Sequence, residues 1–420
     1  IDFTQYFKNR LYYIDVKGML SSLHGSAGAI TALQNSVAHY YQRASSADYL
    51  GVDPTRRSLT GTGGYVKVGR KGNAKWNFSE TFTWSSPGFD LNDMGYMKET
   101  DYLMNETEIM YRQTDIWKIF RYNAFTLSQK NMWNYGGTPF SNNASLRWQS
   151  MTMNRYEWDV KETFAWNWLD SRLLRGGPDV RFGSYFLTSA KFNTDKAKRM
   201  MFMLKYEGDH NFEGNRFNTI SPSLTFRLGN HVYLSGQLDY AWNTDEMQYV
   251  ATTSPLSSSS LAPYYYVMGH MDQKTYGLTL KLQVNVTPDI SIQFYGAPFT
   301  SIAKYDDFKL AADTKSHTFE NRFQRIDPDH LTYADGVYTI GEGAGQMPFR
   351  NPDFRFNEFR SNLVARWEYL PGSTLYFVWE HRMSNRDNWY SSGWGSNLDR
   401  MWGLPATNTF MIKMNYWFNL

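Results

Sequence analysis

Apolar and polar residues alternate along much of the chain with a period of two. In 278–286, Leu278, Leu280, Leu282, Val284 and Val286 share one parity, and Thr279, Lys281, Gln283 and Asn285 share the other. After Thr287-Pro288-Asp289 the alternation resumes, with Ile290, Ile292 and Phe294 against Ser291, Gln293 and Tyr295. Successive side chains of a strand point to opposite faces, so each run predicts a β-strand with one apolar and one polar side. Trp76, Phe78, Phe82 and Trp84 stand in the same way against Lys75, Asn77, Ser79, Thr81 and Thr83. So do Val232, Leu234, Leu238 and Tyr240 against Ser235, Gln237 and Asp239. At the far end Phe410, Ile412, Met414, Tyr416, Phe418 and Leu420 share a face opposite Lys413, Asn415 and Asn419. Strands of soluble sheets usually run about 5–6 residues. These runs approach ten, the length that crosses a bilayer when tilted.

Turn residues divide the runs. Tight turns are predicted at Arg70-Lys71-Gly72-Asn73, at Thr114-Asp115, near Arg155, at Asn193–Ala197, at Leu228–His231, at Thr287–Asp289 and at Pro371-Gly372-Ser373. Longer polar connections fall between them, at 24–59, 86–97, 132–143, 170–177, 210–215, 244–263, 301–356 and 384–404. Short and long connections alternate, as they do in transmembrane barrels with short periplasmic turns and long extracellular loops. The pattern predicts one all-β unit over 1–420, an antiparallel transmembrane barrel of about sixteen strands with both chain ends periplasmic. An even count suits closure, which leaves no unpaired edge in lipid. The longest connection, 301–356, carries Tyr305, Phe308, Phe319, Phe323, Tyr333 and Tyr338. It is expected to fold inward as a plug or outside as a lid. The Ser-rich stretch 254–260 reads as flexible.

Composition narrows the field. Aromatic residues make up 17% of the 420 positions, which excludes a disordered chain. No apolar run approaches the 20 residues or so of a membrane helix. A soluble sandwich or propeller is the other class with this composition. Cysteine is absent, which removes disulfides, thiolate metal sites and thiol nucleophiles. The formal net charge of +3 argues against a nucleic-acid partner. Ile1-Asp2-Phe3 lacks a basic segment followed by an apolar run, so the chain reads as mature or truncated.

Candidate chemistry is sparse. Asp90, Asn92 and Asp93 place three oxygen-bearing side chains in four residues, which is either a partial calcium site or an Asx turn. No other cofactor is expected. Arg366, Glu368, Glu380 and Arg382 share the polar parity of two neighbouring strands and are expected to line a lumen, tuning permeation or bracing the wall. His210 with Asp209 and His270 with Asp272 lie near predicted rims, where a hydrolase would need a serine as well. Gly61-Thr62-Gly63-Gly64 is too short for a phosphate loop and is expected to bend a strand.

Several segments resemble a known family. They are Ser22-Leu23-His24-Gly25-Ser26, Gln34-Asn35-Ser36, His39-Tyr40-Tyr41-Gln42-Arg43, Ser86-Pro87-Gly88-Phe89-Asp90-Leu91-Asn92-Asp93-Met94-Gly95, Asn351-Pro352-Asp353-Phe354, Phe359-Arg360-Ser361-Asn362 and Arg366-Trp367-Glu368-Tyr369-Leu370-Pro371-Gly372-Ser373-Thr374. Together they resemble the outer-membrane barrel domain of unknown function 5916, common in Bacteroidota and often preceded by a family-nine-like carbohydrate-binding domain. The motif after Arg43 departs from the family's Pro-Asp and reads Ala44-Ser45. The resemblance implies outer-membrane lipid and lipopolysaccharide, the barrel assembly machinery, other outer-membrane proteins and glycans as partners. The resemblance transfers no established activity and supplies no catalytic residue. A barrel of this size leaves room for a lumen, so the expected function is a channel or transport component, with a non-conducting scaffold and a membrane-embedded hydrolase as alternatives.

Overall fold

The computed structural model describes all residues except 44–48, 73, 94, 167, 230, 257–263, 389–392 and 419–420, and the side chains of residues 344 and 394. The strands are β1 (Asp2–Phe7), β2 (Tyr12–His24), β3 (Ser58–Arg70), β4 (Trp76–Ser85), β5 (Tyr102–Gln113), β6 (Phe120–Trp133), β7 (Pro139–Thr152) and β8 (Glu157–Trp166). A two-stranded patch follows, β9 (Trp168–Asp170) and β10 (Val180–Phe182), and then β11 (Tyr185–Asn193), β12 (Met200–Asn211) and β13 (Arg216–Leu228). The longest strands are β14 (Val232–Thr253), β15 (Tyr265–Asn285) and β16 (Ile290–Ala311). The next connection holds β17 (Phe323–Arg325) and a three-stranded sheet of β18 (Leu331–Ala334), β19 (Val337–Ile340) and β20 (Met347–Arg350). The chain ends with β21 (Phe354–Leu370), β22 (Ser373–Asp387) and β23 (Thr407–Asn415). Helices are short: α1 (Ala27–Gln34), α2 (Phe319–Arg322) and α3 (Trp394–Trp402). Among the described residues no helix is long and apolar enough to cross a membrane.

One antiparallel sheet dominates. Its strands pair in chain order from β1 through β8, continue through β11 to β16, and finish with β21, β22 and β23. The meander follows from the turn chemistry, because two antiparallel strands need only a tight reversal to join. Most of the short reversals contain a residue in the left-handed region, as at Lys118, Arg155, Gly229 and Gly372. The expected turns are all present, and one more precedes them. Lys8, Asn9 and Arg10 have φ of 45°, 56° and 66°, and they fold 2–24 into a hairpin where a single strand was expected.

That hairpin changes the count and the ends. The meander has seventeen strands instead of sixteen. β1 starts at the end bearing the long connections, whereas β23 finishes at the end bearing the tight turns, so the two termini do not share a side. Among the described residues β1 pairs only with β2 and β23 only with β22. The sheet is therefore open between them. With an odd number of alternating strands its two edges run in the same direction, which forbids an antiparallel seam between them.

Register carries the two faces across the sheet. Phe78, Ile109, Leu127 and Leu146 stand opposite one another on β4–β7. Leu234, Leu282, Phe294, Leu363, Trp379 and Phe410 do the same from β14 to β23. On the opposite face Arg147, Lys161, Ser189, Glu207 and Thr219 form a polar row. The alternation at the C-terminus holds through Met414, and residues 416–418 lie outside the strand.

Buried residues concentrate at the long-connection end. β14 and β16 run well past the expected strand ends, so the connection expected at 301–356 shrinks to 312–353. Its small sheet packs Ile340 and Phe349 on Val267 of β15 and Phe308 of β16. Leu174, Val180 and Phe323 pack on Met247 and Met268. The buried Arg322 guanidinium forks onto Glu213 at 2.8 and 3.0 Å, tying this connection to the β12–β13 turn. The Ser-rich stretch 254–260 lies mostly outside the described residues.

The glycine run in β3 adds no bulge to the strand. β3 pairs with β2 and β4 without a register shift. The glycines instead let the β4–β5 connection lie on the polar face: a Cβ on Gly63 would come within 2.4 Å of the Phe89 ring, and one on Gly61 within 2.1 Å of the Phe89 amide nitrogen. Gly63→Val is therefore expected to cost about 1–3 kcal/mol, from the overpacking it forces. Gly18→Ala, with nothing within 4 Å of its Cβ, is expected to leave the urea midpoint unchanged. Equal midpoints for the two variants would contradict this seating of Phe89.

Candidate functional site

The first long connection begins with α1, whose N-cap Ser26 accepts from the Ala29 amide. Its body folds over the polar face of β3, where Tyr41 and Leu50 bury Leu59. His39 then clamps the next connection. Its Nδ1 lies 2.9 Å from the Pro87 carbonyl oxygen and its Nε2 2.9 Å from an Asp90 carboxylate oxygen. Both partners present acceptor oxygens to the His39 ring, one to each nitrogen. Burial alone would raise the Asp90 pKa, but the His39 and Asn92 N–H groups outweigh it and hold the carboxyl below its ordinary value.

Asp101 joins three segments. Fully buried and with φ of 61°, it accepts from the Tyr49 hydroxyl at 2.6 Å and the Tyr135 amide at 3.1 Å, and it pairs with Arg43 at 3.0 Å. Burial raises its pKa, against the pull of Tyr49 and Arg43. A fourth segment enters through Arg172, which pairs with Glu99 at 3.1 Å and whose carbonyl accepts from Tyr40. Burial likewise pushes the Tyr41 hydroxyl up to about 12. The connections after β2, β4, β6 and β8 are thus tied together by ion pairs and phenols.

Two adjoining cavities of about 570 and 380 Å³ open beside this knot and share Lys98, Glu99, Lys130 and Met132. The larger is walled by Tyr65, Phe89, Tyr96 and Tyr102, the smaller by Asp101, Asp170, Arg172 and Trp168. Each is of the size that holds a small molecule. Aromatic walls with a few charged groups can bind a polar solute by stacking and hydrogen bonds.

The residues expected from sequence are distributed as follows. Asp90 is committed to His39 and to the Asn92 amide at 2.8 Å, which is an Asx turn, while Asp93 is exposed. Among the described residues no three His, Asp or Glu side chains converge to hold a metal ion. Arg366, Glu368, Glu380 and Arg382 do share the polar face, but they do not form one cluster. Arg366 pairs with Glu368 beside the turn, Arg382 pairs with Glu358 at 3.0 Å, and Glu380 stands opposite Asn362. His210 bonds Asn218, and His270 faces Glu246 and Asp272, with no serine hydroxyl among their described partners. His39, Arg43 and Asp101 escaped the sequence reading. The segment His39–Arg43 carried a signal, because it packs two titratable residues around two tyrosines inside a long connection.

The chain belongs to the family described as a domain of unknown function, DUF5916, whose profile matches residues 25–420. No curated protein matches it. Among solved structures, the chain has a likeness to the siderophore receptor PirA from Acinetobacter baumannii, at 9% identity, covering 98% of this chain and 69% of that one. The TM-score is 0.38, too low to define a shared fold.

The sign of the Asp90 shift sets a pH dependence. A carboxyl with a lowered folded pKa stabilises above its unfolded pKa, and that contribution is lost as pH falls through the folded value. Hydrogen-exchange protection of 27–42, normalised to intrinsic rates, is expected to fall as pH drops below about 4, the ordinary range of an aspartate. Asp90→Asn is expected to start less protected at neutral pH and to show little further loss. An acid response unchanged by the substitution would remove Asp90 from this role.

Proposed function

We propose that this chain is the membrane-spanning part of a bacterial outer-membrane β-barrel protein that handles a polar solute. One observation carries the reading: large apolar side chains are exposed along one face of a sheet whose other face is polar. Trp76, Phe78, Ile109, Leu127, Leu146 and Leu234 are each between 42% and 57% exposed. A monomer in water rarely exposes a continuous apolar surface of that extent. Hydrocarbon removes the penalty, and it also requires backbone groups to be paired, as the ladders do for the strands between the two open edges β1 and β23. The polar face then lines the lumen, with Arg147–Asp159 and Arg366–Glu368 on its wall. An all-antiparallel seal of the opening between β1 and β23 takes an odd number of further strands, from whichever chain supplies them.

A second reading, a non-conducting scaffold, draws on the knot at Asp101. The connections 25–57 and 86–101 lie over the polar face at the mouth and would obstruct passage. Planar-bilayer recording separates the two. For a gated transport protein, the wild type is expected to conduct weakly and Arg43→Ala to give larger discrete steps, because losing Arg43 strands the buried Asp101 carboxylate and loosens the knot. Silence in both supports the scaffold. A chain that stays monodisperse without detergent would sink both readings.

A further inference from the structure

The apolar face is not uniform. On β4 it reads Trp76, Phe78, Glu80, Phe82 and Trp84, and on β8 Trp158, Val160, Glu162, Phe164 and Trp166. Both strands place a glutamate midway between two tryptophans. The tryptophans lie eight residues apart, or about 26 Å along the strand at about 3.3 Å per residue. Interfacial aromatics bracket the apolar band of a barrel in this way. On the membrane reading above, on which this inference rests, Glu80 and Glu162 sit near the middle of the hydrocarbon. An ionisable side chain there is costly and marks a functional contact.

The surroundings of Glu80 extend the anomaly. Its carboxylate accepts from the Asn105 amide and from the Thr107 hydroxyl at 2.6 Å, both on the same face of β5. Register continues that face to Gln129 and Asn131 on β6 and to Asn142 on β7. Gln129, Asn131 and Asn142 make no side-chain hydrogen bond among the described residues. Glu162 accepts from Thr188 at 2.7 Å one strand further on. The corresponding surface of β14–β16 and β21 carries Leu234, Leu238, Leu278, Leu280, Phe294 and Leu363 instead. The polar patch is thus confined to one sector of the sheet.

We propose that this patch is the contact between two copies of the chain, related by a two-fold axis along the membrane normal that passes near β5 and β6. Two features select a second copy. Carboxamides both donate and accept, so a patch of amides is complementary to its own image. Rotation about the membrane normal preserves depth, so an identical patch arrives at the level where partners are needed. An unrelated partner would have to present matching groups at that depth.

The chain has no cysteine, so an introduced one reports without ambiguity. After carbonate washing shows that the protein is inserted, its mass is measured in lipid nanodiscs by mass photometry. The wild type is expected to be a dimer, and Gln129→Cys is expected to form a disulfide-linked dimer on mild oxidation. Ile412→Cys, on the open edge β23, is not expected to cross-link. The triple substitution Gln129→Leu, Asn131→Leu and Asn142→Leu is expected to weaken association at least tenfold while leaving insertion intact. An inserted wild type that is monomeric overturns the dimer and spares the membrane reading. Cross-linking through Ile412 alone moves the second copy to the open edge and overturns the patch. A wild type that the wash removes defeats the membrane reading itself.

Discussion

On the proposed membrane reading, backbone hydrogen bonding in a medium without water constrains everything else in this chain. A strand that enters hydrocarbon must give each N–H and C=O a partner on a neighbouring strand, and only side chains can then meet the lipid. That requirement explains why the main ladder runs unbroken through seventeen strands while the connections carry nearly all the irregular backbone. It also explains the division of side chains. The face that meets lipid can carry Phe78, Ile109 and Leu127 at high exposure because exposure there is not exposure to water. The opposite face keeps its charges, such as Arg147 with Asp159, in pairs.

The same economy shapes the mouth. Connections that leave the sheet at the long end build small cores on one another. Phe89 lies on glycines of β3, Tyr41 and Leu50 cover Leu59, and Asp101 gathers donors from two other segments. Buried charge is the means and also the weakness of this arrangement. Asp101 is held by its donors against the cost of removing it from water, so altering one donor disturbs all the segments it joins.

Much of the fold was legible because the period-two signal is a direct consequence of strand geometry. The parity of Leu278 to Val284 and of Phe410 to Met414 survives in the register unchanged. Errors arose where the signal is local or absent. The turn at Lys8-Asn9-Arg10 has no glycine or proline, and of its left-handed residues only Asn9 is of a type that favours that region. The strand extensions of β14 and β16 carry polar residues, so they resembled loops. Closure was inferred from an even count, and the extra hairpin removed that argument. The site was less legible, because His39 meets Asp90 across 51 residues and Arg43 meets Asp101 across a similar gap. Spacing along the chain does not encode such contacts. Glu80 was visible as the one interruption in the alternation from Trp76 to Trp84, and its recurrence as Glu162 gives the interruption meaning.

The central claim is that the apolar face touches lipid tails and the polar face touches water. Spin labels placed singly at 278–283 on β15, in protein reconstituted into liposomes, test it most directly. Collision with oxygen, which concentrates in hydrocarbon, should be high at 278, 280 and 282 and low at 279, 281 and 283. Collision with a water-soluble nickel chelate should follow the opposite order. Equal access of the chelate to both sets would place the two faces in water and contradict the account.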